Sequence, residues 1–475
     1  MTEEAVEKSK ARASNILKCR DDHKPVFFAH EDESTTDAPK FKLCEGSSCP
    51  WTKPGDVFGP DKLRSRIEPW LTALCQSEHL SLLLGSGLTY AVHHLATSKP
   101  LPGMGVADFG EYQDLINVET KKSAEAAGRN PGNIEDQIRV ANELLRGLEI
   151  LSSSDEETRN KADALRDKLA EVLSKFAASI LNGEHGLITA NEEKREDAYN
   201  YLVSFLMSFA SRTGTRDRLH LFTTNYDRLI ETGAEVAGMH LLDRFVGSLT
   251  PIFRSSRLDL DMHYNPPGIR GEPRYLEGVA RFTKLHGSVD WVEYERSIRR
   301  LGIPFGAESL EPYLNAPGAA AASAMQLMIY PNAAKDRETA AYPYVELFRD
   351  LAAAACRPNH TLIAFGYSFG DEHINRVIED MLTIPSTHLV VIAYDDPLNR
   401  IMKTYERLGR HAQISLLVGD HIGEFRSLVD HYLPKPAIDR TTFKMAELLK
   451  SRWGTAQGDG EEKSEDSPMT GERKV

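Results

Sequence analysis

The stretch that decides the fold is LSLLLGSGLTYAVHHLA at residues 80–96. It opens with a short run of apolar residues, which predicts a strand buried on both faces of a parallel sheet. Gly85, Ser86 and Gly87 then form a small-residue turn, and the residues after it have the pattern of a helix. A strand, a glycine-rich turn and a helix in succession are typical of the start of an α/β nucleotide-binding domain.

The turn at residues 85–87 has the outline of a phosphate site. Its backbone N–H groups would lie at the positive end of the following helix, where they favour an anion. The dinucleotide fingerprint is incomplete, because Tyr90 occupies the position of its third glycine. A plain tight turn is therefore an alternative interpretation. The chain has no Walker A sequence, so we do not expect it to hydrolyse ATP.

Six further apolar segments follow, separated by helical or loop sequence. They are LHLFTTNYD at 219–227, RFTKLHGSVDW at 281–291, LMIYP at 327–331, TLIAFGYSF at 361–369, HLVVIAYDD at 388–396 and ISLLVGD at 414–420. The region before them is rich in the helix formers Ala, Leu, Glu, Lys and Arg. We therefore predict an α/β fold, a Rossmann-type parallel sheet with a large helical insertion.

The predicted organisation has five parts. Residues 1–58 lack sustained periodicity and are interpreted as an N-terminal extension and candidate assembly arm. Residues 59–108 and 201–435 would form the two parts of the core, and residues 109–200 the insertion. Residues 436–475 are predicted to hold a C-terminal helix and a polar, disordered tail.

The composition is that of an ordinary globular protein. The 475 residues include 57 Lys and Arg against 70 Asp and Glu, a formal net charge of −13. This charge argues against wholesale binding of nucleic acid or of an anionic membrane, and favours a small molecule or another protein as partner. The first residues are charged and no apolar run is long enough to span a membrane, so we expect a cytoplasmic protein.

No metal site is predicted. The five cysteines are too sparse for a disulfide scaffold, so reduced thiols are expected. Cys44 and Cys49 could offer two thiolates to zinc, but no second Cys or His pair lies at finger spacing. Asp371, Glu372 and His373 form a string of ligand types, yet adjacent positions on a helix point in different directions.

Polar side chains follow several predicted strands. Asn225 and Asp227 end one of them, and His286 ends another. In an open α/β sheet such residues lie at the edge where ligands bind. Asn can orient a water or an amide, Asp can hold a ribose hydroxyl, and His can act as a general base. Helix capping by the Asx residues and a structural role for His286 are the alternatives.

A second small-residue turn follows TLIAF. It contains Gly366, Ser368 and Gly370, and Asn375 follows on the next predicted helix. Two such turns, together with Asn, Asp and His at strand ends, describe a dinucleotide site.

The ordered motifs GSG, TTNYD, KLHGS, GYSFGDEHIN and VVIAYDD resemble those of the sirtuin-like superfamily. The chain is similar in particular to the bacterial SIR-type branch found in antiphage defence proteins, over roughly residues 80–420. The resemblance implies a Rossmann-type fold that binds NAD and cleaves its nicotinamide–ribose bond.

The resemblance also implies roles for individual residues. His286 would be the catalytic base, and Asn225 would act with it by orienting water or the carboxamide. Asp108 would begin an Asp-Phe element in which Gly110 replaces the Arg of the family. The residues implied to bind NAD are Gly85, Ser86, Gly87, Asp108, Asp227, Gly366, Ser368, Asn375 and Asp395.

Departures from the family pattern favour hydrolysis over deacylation. Deacylating sirtuins carry two close Cys pairs for zinc after the catalytic His, whereas only Cys356 lies between His286 and Ser368. We therefore expect no zinc. The helical insertion is similar to that of the defence branch, whose members hydrolyse NAD to nicotinamide and ADP-ribose. A protein deacylase and an NAD- or ADP-ribose-binding regulatory subunit of a defence complex are the alternatives.

The resemblance further implies partners. An enzyme that drains cellular NAD must be held inactive, so we expect an abortive-infection effector controlled from outside the active site. The expected controls are homo-oligomerisation, a phage-derived trigger, or a partner such as a hexameric motor ATPase of the HerA-like kind. Direct binding of nucleic acid or membrane is not expected.

Overall fold

The structure is a computed structural model. It describes residues 15–31, 39–101, 107–126, 132–152, 155–210, 212, 217–256, 260–264, 274–295, 297–316, 324–327 and 342–435.

Ten strands form one sheet in the described part of the chain. They are β1 (Asn15–Lys18), β2 (Val26–His30), β3 (Phe41–Leu43), β4 (His79–Leu84), β5 (Leu219–Thr223), β6 (His240–Leu242), β11 (Val279–Lys284), β14 (His360–Phe365), β15 (His388–Ala393) and β16 (Ile414–Gly419). Short strands outside this sheet are β7 (Phe245–Val246), β8 (Ile252–Phe253), β9 (His263–Tyr264), β10 (Arg274–Tyr275), β12 (Trp291–Tyr294) and β13 (Ser297–Arg300).

The order across the large sheet is β3-β2-β1-β16-β15-β14-β4-β5-β11-β6. The strands from β16 to β6 pair in parallel, whereas β1, β2 and β3 are added antiparallel at one side. The strands that follow β4 in the chain are added first on one side of it, beginning with β5. Strand β14 then pairs with the other side of β4. The carboxyl ends of β4 and β14 therefore border a switch point, where open α/β sheets bind ligands.

The helices are α1 (Pro60–Cys75), α2 (Ser86–Thr97), α3 (Gln113–Ala126), α4 (Ile134–Leu151), α5 (Glu156–Ile188), α6 (Glu192–Ala210), α7 (Leu229–Val236), α8 (Tyr344–Ala355), α9 (Glu372–Leu382), α10 (Arg400–Leu408) and α11 (Phe425–Ser427), which continues as a π-helical turn at Leu428–Tyr432. Short 3-10 turns cover Gly110–Tyr112, Glu311–Tyr313, Ala324–Gln326 and His411–Gln413.

Helices cover both faces of the parallel strands. Leu82 and Leu84 of β4 pack with α1, α2 and α6 on one face, whereas Leu83 packs with α8, α9 and α10 on the other. All three leucines are fully buried, and burial of each contributes on the order of 2 kcal/mol. This two-sided burial explains the continuous apolar strands and confirms the predicted α/β fold.

The large helical insertion is also present. Two of its helices start at side-chain caps: Asn133 and Asp136 form a capping box at α4, and Asp155 caps α5. A third apolar cluster joins these helices to Tyr226 and Val289 in the loops that follow β5 and β11. Residue 200, where the sequence analysis ends the insertion, lies within α6, whose apolar side packs on the sheet.

The N-terminal segment contributes to the sheet, which the sequence did not reveal. Its strands β1 to β3 have only three to five residues, too few to show a period. Of the strand predicted at 327–331, only Leu327 is described, and the features predicted for 436–475 lie outside the described residues. Over the described ranges, no helix is long and apolar enough to cross a membrane.

Candidate functional site

A cavity of about 300 Å³ lies at the switch point of the sheet. The turns after β4 and β14 form its floor, and the residues after β5 and β11 form one side. Helices α4 and α5 of the insertion line the other side, with the apolar side chains of Phe176, Ile180 and Leu187. The cavity therefore has a polar half from the core and a partly apolar half from the insertion.

The two small-residue turns touch each other through backbone atoms. The N–H of Gly87 donates to the Gly366 carbonyl at 3.1 Å, and the N–H of Gly85 donates to the Phe365 carbonyl at 3.0 Å. A Cβ placed on Gly85 would lie 2.4 Å from the Gly366 carbonyl oxygen. The glycines therefore serve close approach of the turns, and Ser86, the first residue of α2, is the one whose N–H lies at the free helix terminus.

Asn225 is buried and its amide is held by the first turn. Its Nδ2 donates to the Gly85 carbonyl at 2.9 Å and to Thr89 Oγ1 at 3.0 Å. The carbonyl can only accept, so these bonds fix which end of the amide is nitrogen. Oδ1 of Asn225 has no hydrogen-bond partner in the described part of the chain, and the residue lines the cavity. Asn225 thus offers the cavity an acceptor.

Asp227 continues the same network. Its Oδ2 accepts from Thr89 Oγ1 at 2.7 Å, and its Oδ1 accepts from the N–H of Leu229 at 3.0 Å. The hydroxyl of Thr89 therefore links Asn225 to Asp227 and holds both side chains at the cavity wall. The N-cap residue of α7 is Arg228, which makes no side-chain cap bond, so the contact of Asp227 with the N–H of Leu229 comes from the residue before the cap.

His286 lines the cavity and follows β11. Its Nε2 is 2.8 Å from Oδ2 of Asp371, and the two side chains are 17% and 6% exposed. The ring centroid of Tyr226 lies 6.3 Å from that of His286. Burial raises the pKa of Tyr226 well above its ordinary value, so this neighbour stays neutral.

Asp371 is a cavity residue to which the sequence analysis gave no role. The sequence analysis considered it only in the string Asp371, Glu372 and His373, and its partner His286 lies 85 positions away. That separation is why no local pattern could reveal the pair. Asp371 is the N-cap residue of α9, and Glu372 and His373 are the first residues of that helix.

Several implied NAD-binding residues lie outside the cavity lining. Asp108 is exposed and accepts from the N–H of Gly110 at 2.9 Å. Asp395 is exposed at the end of β15. Asn375 supports the second turn from behind, since its Nδ2 donates to the Phe369 carbonyl at 3.0 Å. Gly87 touches Gly366 but does not line the cavity.

The implied residues that the structure does bring together line one cavity. They are Gly85, Ser86, Asn225, Asp227, His286, Gly366 and Ser368.

The insertion adds a buried ion pair beside this cavity. The guanidinium of Arg228 donates to both carboxylate oxygens of Glu184, and to the carbonyls of Ile303 and Pro304. Burial raises the pKa of the Glu184 carboxyl, and the hydrogen bonds from Arg228 oppose that shift. The pair ties α5 to the chain just after Asp227, and no sequence pattern indicated it.

The charges around the cavity are mostly acidic. The acidic residues that line it are Glu135, Asp136, Glu184, Asp227 and Asp371. Arg400 is the single Lys or Arg among the described lining residues. Arg400 begins α10, and its Nη1 lies beside Gly370 of the second turn. Within the described ranges, no group of three or more His, Cys, Asp or Glu side chains could hold a metal ion.

Comparison with known proteins gives a family match. No curated protein matches the chain. A family model described as a SIR2-like domain matches residues 219–416, which contain Asn225, His286 and the second turn but not the first turn. This match supports a sirtuin-like domain with NAD-related activity in this chain.

Proposed function

We propose that the protein is an NAD glycohydrolase, which cleaves NAD with water to nicotinamide and ADP-ribose. The observation that carries the proposal is the convergence of Asn225, Asp227 and His286 on one cavity at the switch point of a sirtuin-like domain. Sirtuin-like domains use NAD, and this is the position where open α/β sheets bind nucleotides.

The cavity offers suitable partners to each part of NAD. Ser86 at the start of α2 and the guanidinium of Arg400 would attract the diphosphate. The acidic groups Asp227 and Glu135 would favour the cationic nicotinamide end and the positive charge that develops on the ribose. The close contact of the glycines brings the backbones of both turns to the cavity.

The reaction follows from the groups that face the cavity. The bond between the ribose carbon and the pyridinium nitrogen breaks, and its electron pair neutralises the nicotinamide ring. A water oxygen bonds to the same carbon, and His286 takes the proton that the water loses. Oδ1 of Asn225 would accept a hydrogen bond from that water and fix its position, because the amide nitrogen is already engaged.

The insertion supports hydrolysis over transfer to a protein. Its helices α4 and α5 supply the cavity wall opposite the core, with Phe176 and Ile180 in contact with the space. A wall formed by the chain itself favours a small acceptor such as water over an acyl-lysine peptide.

The biological role is proposed from the family resemblance. We propose an effector of bacterial antiphage defence, gated by self-assembly, a phage-derived trigger or a hexameric motor ATPase of the HerA-like kind. Native mass spectrometry combined with an NAD assay tests the gating. An oligomer that turns over NAD faster than the monomer supports it, and a fully active monomer contradicts it.

The test of the activity is nicotinamide release from NAD by the purified protein. His286→Ala and Asn225→Ala are expected to abolish release. His79→Ala is the matched control, because His79 is 20% exposed and bonds Asp217 at 2.9 Å at the other edge of the sheet. Loss of activity in the control as well would show damage to the fold. Release only with an acyl-lysine peptide would indicate the deacylase, and NAD binding without release the regulatory subunit.

A further inference from the structure

We propose that Asp371 is a positioning residue that holds His286 with its proton on Nε2, so that Nδ1 is the nitrogen that accepts the proton from water. The inference rests on the proposed function for its kinetic consequences, but the tautomer itself is a property of the protein alone. Nδ1 is then the basic atom of the imidazole. Asp371, which is not among the residues that the resemblance implies, holds the ring in this form.

The contact is close and shielded from water. Nε2 of His286 lies 2.8 Å from Oδ2 of Asp371, and both side chains are largely buried. An ionised carboxylate can only accept hydrogen bonds, so the proton of this bond lies on Nε2. A neutral imidazole that donates through one nitrogen presents the other as an acceptor. In the described part of the chain Nδ1 has no hydrogen-bond partner, and His286 lines the cavity.

The two oxygens of Asp371 do separate work. Oδ1 accepts from the N–H groups of His373 at 2.9 Å and Ile374 at 3.4 Å, which caps α9. Oδ2 is directed at His286. A cap alone requires one acceptor, which a serine or an exposed aspartate supplies equally well. The second contact is therefore what distinguishes Asp371 from an ordinary capping residue.

The backbone of Asp371 is itself held by a residue of the second turn. The hydroxyl of Tyr367 lies 3.1 Å from both the Asp371 carbonyl and Oδ1 of Asn375. Burial raises the pKa of Tyr367 well above its ordinary value, so the hydroxyl keeps its proton and remains a donor. The resemblance implies that Asn375 binds NAD. In this structure its amide instead accepts from the Tyr367 hydroxyl and donates to the Phe369 carbonyl, and so stabilises the turn that precedes Asp371.

The direct test is the tautomer of His286 in the protein without NAD. Selective ¹⁵N-histidine labelling gives the nitrogen shifts, and the His286 signals are identified by their loss in His286→Ala. The wild type is expected to show the Nε2–H form. Asp371→Asn keeps an oxygen for the helix cap but places an NH₂ group against Nε2, so the ring should change to the Nδ1–H form. A wild-type Nδ1–H signal, or no change in Asp371→Asn, would overturn the proposal.

The kinetic test separates positioning from folding. Asp371→Asn and Asp371→Ser both retain a cap, and both are expected to lower kcat about 100-fold or more with little change in KM. Asp155→Asn is the matched control, because Asp155 caps α5 through the same kind of bonds from an exposed position. It should leave kcat unchanged. Equal kcat in wild type and Asp371→Asn, with the fold intact by circular dichroism, would refute the role. If the wild type releases no nicotinamide in any assembly state or with any trigger, the proposed function fails, while the tautomer result still decides this inference.

Discussion

The contact between the two turns predicts a large effect of Gly85→Ala. The backbone of Gly85 has φ −96°, which an alanine adopts without strain, so the cost comes from packing alone. The added Cβ would lie 2.4 Å from the Gly366 carbonyl oxygen and 2.7 Å from Cα of Tyr367. Both are backbone atoms, so no side-chain rotation can relieve the clash. The turns would have to separate by roughly 1 Å to restore ordinary contact.

Overpacking of this kind costs about 1–3 kcal/mol. We expect the upper end because β14 is buried throughout and β4 is buried from Leu80 to Leu84, next to the turn. A displacement of about 1 Å at the floor of the cavity should also lower NAD turnover by about 100-fold. Urea unfolding and nicotinamide release measure the two effects. Gly147→Ala is the control, since no atom lies within 4 Å of its new Cβ in the middle of α4.

The control should raise the free energy of unfolding by about 0.5–1 kcal/mol, because alanine has the higher helix propensity. If Gly85→Ala instead unfolds at the urea concentration of the wild type and releases nicotinamide at the same rate, the turns do not pack as described.

Three further predictions concern charges. Arg400→Gln should raise the KM for NAD about tenfold or more, because a charge-assisted hydrogen bond to NAD is lost, whereas Arg407→Gln, exposed on the same helix, should leave the KM unchanged. Equal KM values for the two variants would show that Arg400 does not contact NAD. Glu184→Ala should lower the free energy of unfolding by about 3–5 kcal/mol, because it leaves Arg228 buried without its carboxylate partner. Glu171→Ala, which removes an exposed ion pair, should have no measurable effect, and equal urea midpoints for the two variants would contradict the prediction. Burial raises the pKa of Glu231 to about 7, so between about pH 4.5 and about pH 7 the folded state binds a proton that the unfolded state has lost, and the free energy of unfolding should fall as pH rises through this range. Glu231→Gln should lose this part of the pH dependence, and parallel pH profiles of wild type and variant would contradict the prediction.

Much of the fold was predictable because apolar strands and glycine turns are local signals. The run at residues 80–84 forms β4 and the glycines after it form the turn, as expected from burial on both faces. The carboxyl ends of parallel strands share one edge, which is why Asn225 and His286, far apart in the chain, line the same cavity. The N-terminal strands were missed, since β3 has only three residues and gains its stability from its neighbour β2.

The second half of the site depends on contacts that have no local signature. Asp371 looks like any residue that caps a helix, and only the fold brings it to His286. Glu184 lies in a long helix rich in charged residues, and nothing in its surroundings marks it as the one that meets Arg228.

The most direct test of the central claim is the product ratio from NAD without any peptide. The purified protein is incubated with NAD, and nicotinamide and ADP-ribose are quantified together by chromatography for the wild type and His286→Ala. Equal amounts of the two products are expected from the wild type in its active assembly, and none from the variant. Nicotinamide without ADP-ribose, or equal release by His286→Ala, would contradict the claim.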